Sequence, residues 1–252
     1  MAIPISNLIS SSVSGYSGWS GISGYSGSGG GGGAFSVCNV NNIVSSLGGT
    51  GGTGTNNFFA GVCAGYCNTT GTDNNFFGYR AGYCNTTGGY NNFIGYYAGM
   101  YNTTGSNNNF IGCRAGYYNT TGCWNNFFGC RAGYSNTTGS SNNFFGTYAG
   151  YWNTTGGCNT FIGRCAGHNN PTGTHNISLG TYSGARSPGN CSTSYNIYAG
   201  MCAGYGPIYW VPGQPLGEQN IFLGKEAGFG HTTGGCNIFI GSCSGYCNGS
   251  GS

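Results

Sequence analysis

Charge is what this chain most lacks. Its 252 residues carry six Lys plus Arg and three Asp plus Glu, 4% in all, where soluble domains average about 25%. Catalysis by side chains needs titratable groups gathered in a pocket, and the only carboxylates are Asp73, Glu218 and Glu226. The expectation is a protein that is not an enzyme and holds no cofactor and no metal. A formal net charge of +3 supplies no basic patch for phosphate backbones, so no nucleic-acid partner is expected. No run approaches the roughly 18 apolar residues of a membrane helix, and no membrane insertion is expected. The first 14 residues show no basic segment followed by an apolar core, so no conventional signal peptide is read there.

Aliphatic residues are scarce too: Leu, Ile, Val and Phe total 40, too few for a conventional core in a chain of this length. What the sequence has instead is 55 Gly, 20 Tyr, 15 Phe and 14 Cys, arranged with a strict period. Phe59, Phe76, Phe93, Phe110, Phe127, Phe144 and Phe161 open successive 17-residue units of the form FFGYRAGYCNTTGGYNN. Ser178, Tyr198, Phe222 and Phe239 open degenerate ones, with units of 20 and 24 residues beginning at Ser178 and Tyr198.

Seventeen residues are too few for a two-helix repeat and suit one coil of a β-solenoid. Three Gly per unit, such as Gly78, Gly82 and Gly88, oppose helix and favour corners. Asn-Asn-Phe-Phe-Gly reads as a short alternating strand and Asn-Thr-Thr-Gly as a turn. Each unit is therefore expected to hold a strand, a Gly corner, a second short extended piece and a turn. The fold class predicted is all-β: a β-solenoid of about eleven 17-residue coils, domain 59–252. Phe59, Phe76, Phe93, Phe110, Phe127, Phe144, Phe161, Phe222 and Phe239 would form its core ladder, with Asn side chains pairing along the axis.

Ahead of the repeat, residues 1–14 read as an attachment or docking segment. Residues 15–33 carry Gly at every third position from Gly15 to Gly30, which fits either a collagen-like stalk or a flexible Gly/Ser linker. Residues 34–58 read as a transition that caps the solenoid's open edge.

The run N-N-F-Φ-G-x-x-A-G-Y-x-N-T-T-G resembles the Asn-Thr-Thr-Gly repeats of bacteriophage tail fibres and bacterial surface fibres. More distantly, it is similar to the head repeats of trimeric autotransporter adhesins. The G-Y-S-G-x-S-G stretch resembles collagen-like segments of phage structural proteins. The resemblance implies a fibrous, homotrimeric β-solenoid on a virion or cell surface that mediates contact or adhesion. The competing expectation is an extracellular filament subunit, polymerising end to end with disulfide reinforcement.

Fourteen Cys fit an oxidising, extracellular destination. Cys67 and Cys84, like Cys113 and Cys130, lie 17 apart, one coil from each other, within disulfide range. A spacing of seven relates Cys123 to Cys130, Cys158 to Cys165 and Cys236 to Cys243, as alternative bridges. Most Cys stand in variable columns, which should face outward, so bonds between neighbouring rods are a third possibility.

Asn68, Asn85, Asn102, Asn119, Asn136 and Asn153 head Asn-Thr-Thr sequons, read as glycosylation acceptors in a secreted eukaryotic protein and as bare turns otherwise. Exposed aromatics such as Trp124 and Trp152 suit surface carbohydrate or contact between rods. Arg80, Arg114 and Arg131 share a column, the last two in adjacent coils. Glu218 and Glu226 are read as members of an exposed loop ion pair, the alternative being that they approach each other across the long insert, close to Lys225 and His231.

Overall fold

A computed structural model describes residues 35–37, 43–45, 53–185, 193–206, 217–231 and 234–247. Residues 1–14 and the Gly-rich 15–33 segment lie outside the described residues, as do Cys38 and Cys191. The strands are β1 (Phe35–Val37), β2 (Ile43–Ser45), β3 (Phe58–Ala60), β4 (Asn75–Phe77), β5 (Asn92–Ile94), β6 (Asn109–Ile111) and β7 (Asn126–Phe128). They continue as β8 (Asn143–Phe145), β9 (Thr160–Ile162), β10 (Ile177–Leu179), β11 (Ile197–Ala199), β12 (Ile221–Leu223) and β13 (Ile238–Ile240).

All thirteen form one sheet in sequence order. β1 pairs antiparallel with β2, and from β2 onward every pairing is parallel. The chain thus winds as an all-β parallel solenoid of about ten turns, one three-residue strand per coil. Register survives the longer units, since Ser178 pairs with Tyr198 and Tyr198 with Phe222.

From β3 to β13 the middle residue of each strand is the least exposed of the three, and Phe76, Phe93, Phe110, Phe127 and Phe144 are fully buried. Their rings stack at 4.8 Å between successive coils, within 4–7° of parallel. An offset stack is the favoured arrangement of aromatic pairs, and burying each ring contributes about 2–3 kcal/mol. A parallel column of fully buried Ala, from Ala64 to Ala166, lies against the rings. Gly82 sits at φ 57°, where a side chain is strained, and its missing Cβ leaves room for the Phe76 ring.

Ser178 interrupts the Phe column and divides the core in two, Phe59 to Phe161 on one side and Tyr198 to Phe222 on the other. The larger Tyr198 ring lies near Gly184. A cavity of about 10 Å³, roughly one water, remains between Phe161, Ser178 and Tyr198.

Two Asn columns hold the coils together. In the first, the backbone N–H of Asn91 donates to Oδ1 of Asn74 at 3.0 Å, while Asn91 Nδ2 donates to the Gly105 carbonyl at 2.9 Å. In the second, the sequon column, Asn102 Nδ2 donates to Asn85 Oδ1 at 2.7 Å and to the Gly105 carbonyl at 2.9 Å. Both columns are buried from coil to coil, so these bonds satisfy polar groups that would otherwise be costly to desolvate. Gly88 is needed for a different reason from Gly82: a Cβ there would run into the Gly105 carbonyl.

The expected second extended piece is absent. Residues 78–84 and their equivalents are turns, with left-handed φ at the Arg80 and Gly82 positions, and a further non-Gly left-handed position precedes each strand, so that two non-Gly columns carry it. One includes Arg80 (52°), Tyr97 (58°) and Arg131 (56°), the other Asp73 (56°), Tyr90 (58°) and Trp124 (61°). Each such residue is disfavoured by about 1–2 kcal/mol. The conformation aims its N–H along the axis, Arg80 to the Val62 carbonyl at 2.9 Å and Tyr90 to Thr72 at 2.9 Å. The inter-coil bond offsets the strain and keeps the ladder continuous around the corner.

Candidate interaction surface

Each coil presents three outward stretches in chain order: the strand, the segment after the Gly corner, and the segment from Thr-Thr to the next strand. The segment after the corner concentrates aromatic, cationic and thiol groups. Tyr66 stacks on Tyr83 at 5.2 Å, and Tyr117, Tyr134, Tyr151 and His168 continue the same column at 5.2, 4.9 and 5.3 Å. This half-exposed ladder escaped the sequence reading, although the Tyr of A-G-Y that recurs at Tyr66, Tyr83, Tyr117, Tyr134 and Tyr151 is its signal.

The Arg column interleaves with Tyr. Arg80 and Arg114 approach Tyr97 from either side, each guanidinium carbon 5.9 Å from the ring centroid. Arg131 turns the other way, its Nη1 donating to the Tyr148 hydroxyl at 2.8 Å. Arg114 and Arg131 therefore reach in opposite directions along the axis, which separates like charges that the sequence places one coil apart. Arg164 lies over Tyr182 at 5.5 Å. Such contacts contribute about 0.5–1 kcal/mol at exposed sites.

The same proximity shifts ionisation. Burial opposes the charge of Arg80, but Tyr79, Tyr97 and Tyr83 outweigh it and the guanidinium is held more firmly protonated. Tyr96 donates to Tyr97, so Tyr97 is the easier of the two to ionise and Tyr96 the harder. Burial first, then the Tyr101 hydroxyl, pushes Tyr117 up to about 12. Burial lowers the pKa of His168, partly offset by its bond to Asn169.

Trp124 and Trp152 are both exposed but stand on different stretches of the coil. Trp152 belongs to the aromatic side, edge-on to Tyr151 at 4.9 Å. Trp124 lies on the segment before the strand, its backbone N–H donating to the Ser106 carbonyl at 3.1 Å.

The twelve described cysteines are free thiols. Cys67 and Cys84 occupy one column, and burial and the neighbouring Cys67 raise the Cys84 pKa. Cys113 and Cys130 are likewise one coil apart, and Cys130 is raised by burial and by Cys113. Neither the pairs one coil apart nor those at a spacing of seven residues are bridged among the described thiols. Cys123 and Cys130, Cys158 and Cys165, and Cys236 and Cys243 bracket β7, β9 and β13 respectively. The strand lies between the two thiols of each pair, and all six stay free. Outward orientation also fails at Cys165, which is 7% exposed.

The sequon Asn side chains point inward. Asn85, Asn102, Asn119, Asn136 and Asn153 are fully buried and Asn68 is 7% exposed. Their amides are spent on the ladder, so a glycan at Nδ2 requires the rung to leave it. Glu218 precedes β12 and Glu226 follows it, and Glu226 pairs with Lys225 at 3.6 Å.

No family model, curated protein or solved structure matches this chain.

Proposed function

We propose that this protein is a structural fibre component of a virion tail or cell surface that mediates surface contact or adhesion. The observation that supports this reading is the aromatic and cationic side of the rod, where Tyr117, Tyr134 and Tyr151 stack at 4.9–5.2 Å beside Arg131 and Trp152. A rigid axis repeats these groups at constant spacing, which suits many weak contacts made together rather than one deep pocket. Planar rings with adjacent hydrogen-bonding groups favour surface carbohydrate as the ligand. The protein's other partner is a further copy of itself, in an extracellular setting. The resemblance to phage and bacterial fibre repeats supports the same reading.

Negative-stain electron microscopy of the purified chain tests the proposal. Discrete rods whose repeat portion is about 50 Å long support it. Fibres that grow without limit overturn it in favour of an end-to-end filament. Binding to a glycan array, lost in a Trp152→Ala variant, tests the carbohydrate ligand.

A further inference from the structure

The outward face of the strands has no part in the aromatic surface and carries no charge. One of its columns runs Phe77, Ile94, Ile111, Phe128, Phe145, Ile162 and Leu179 on to Leu223 and Ile240. Ile94 is 41% exposed, Ile162 44% and Ile240 68%. The other column is Asn from Asn75 to Asn143, then Thr160, and from β10 onward Ile177, Ile197, Ile221 and Ile238. Both columns are thus apolar over the last four strands, apart from a small Ala199.

The Asn residues on this face are already paired. Asn75, Asn92, Asn109 and Asn126 each donate from Nδ2 to Oδ1 of the next Asn at 2.8 Å. A self-satisfied amide ladder is cheaper to desolvate than free amides, which lose their water without a partner. The face is therefore prepared for burial along its whole length.

We infer that this face is covered by the equivalent face of a second copy of the chain, sheet against sheet. Three arguments select that occupant. Ten strands at about 4.8 Å, each about 10 Å wide, give roughly 500 Å² per copy, or about 1,000 Å² for the pair, at the lower bound of specific interfaces. A second copy presents the same rung spacing, so side chains interdigitate in phase over the full length. The absence of charge lets identical surfaces meet without repulsion, as a self-complementary two-fold contact requires. This inference rests on the self-association in the fibre reading and assigns it a face and a stoichiometry.

Sedimentation velocity on the full chain tests it. The expected mass at tens of micromolar is twice the 25.8 kDa of one chain. The double variant Phe145→Lys with Ile162→Lys should associate at least 100-fold more weakly. A control with Thr138→Lys and Thr155→Lys, which places two charges on another stretch, should remain paired. Far-UV circular dichroism establishes that each variant keeps its fold, and single lysine variants replace any double variant that does not. A monomeric wild type, a mass of three copies, or a folded face variant that pairs like the control would overturn the inference. Surface rods made of single chains would do so while leaving the surface-contact function intact. Paired rods that never reach a surface would do the reverse.

Discussion

Asn119 Nδ2 donates to Asn102 Oδ1 in the preceding coil at 2.7 Å, and the carbonyl of Gly122 takes its other hydrogen at 3.0 Å. Asn136 in turn donates to Asn119 Oδ1 at 2.7 Å. One side chain thus joins three coils in the dry interior. Asn119→Ala should destabilise the rod by at least about 2 kcal/mol, since buried partners left unsatisfied cost about 1–3 kcal/mol each. Thr121→Ala, at an exposed hydroxyl in the same turn, should stay within about 0.5 kcal/mol of wild type. Urea denaturation of the two variants measures the difference.

Tyr90 holds φ 58° with 60% of its surface exposed, so left-handed strain there has little packing to offset it. Asn56 and Asn107 occupy the same column at φ 59° and 58°, and Asn tolerates this conformation better than Tyr. Tyr90→Asn should therefore raise stability by up to about 1 kcal/mol, seen as a higher urea midpoint with an unchanged slope.

His168 stacks on Tyr151 at 5.3 Å, and burial lowers its pKa below 6.5. The unfolded chain therefore takes up this proton first as pH falls, so stability is lost below about pH 6.5 until the folded value is reached. His168→Tyr, which continues the residue type of its column, should flatten that portion of the stability profile. Thermal unfolding between pH 7 and pH 5 provides the comparison.

Tyr117 behaves in the opposite sense at alkaline pH. Its phenol stays protonated to about 12 in the folded chain against 10.0 otherwise, so the unfolded state loses its proton first and stability falls as pH rises between those values. Absorbance of phenolate near 295 nm should show a late-titrating component that disappears in Tyr117→Phe. Loss of no such component on substitution would contradict the burial assigned to this ring.

The coil was legible because its period is strict: Phe76 to Phe161 recur in one register, and that register fixes which residues stack. The degenerate openings at Ser178 and Tyr198 were also readable, since flanking Gly and Asn keep their places. What the sequence concealed was conformation at variable positions. Nothing about Tyr, Arg, Trp or Cys announces a left-handed φ, and it is the inter-coil N–H bond that imposes one on Arg80 and Trp124. A spacing of seven residues between cysteines looked short along the chain, although a strand lies between the two thiols. The sequon Asn residues looked like surface turns because their burial depends on stacking with copies of themselves. On the aromatic surface, Tyr abundance was visible, but the interleaving of Arg80, Tyr97 and Arg114 requires knowing which columns adjoin.

The most direct test of a surface-exposed fibre is immunogold electron microscopy of the native particle or cell, using antibodies raised against the purified repeat portion. Gold at the ends or along the shafts of projecting fibres is the predicted result. Label confined to the interior, with none on any projecting structure, would contradict the account.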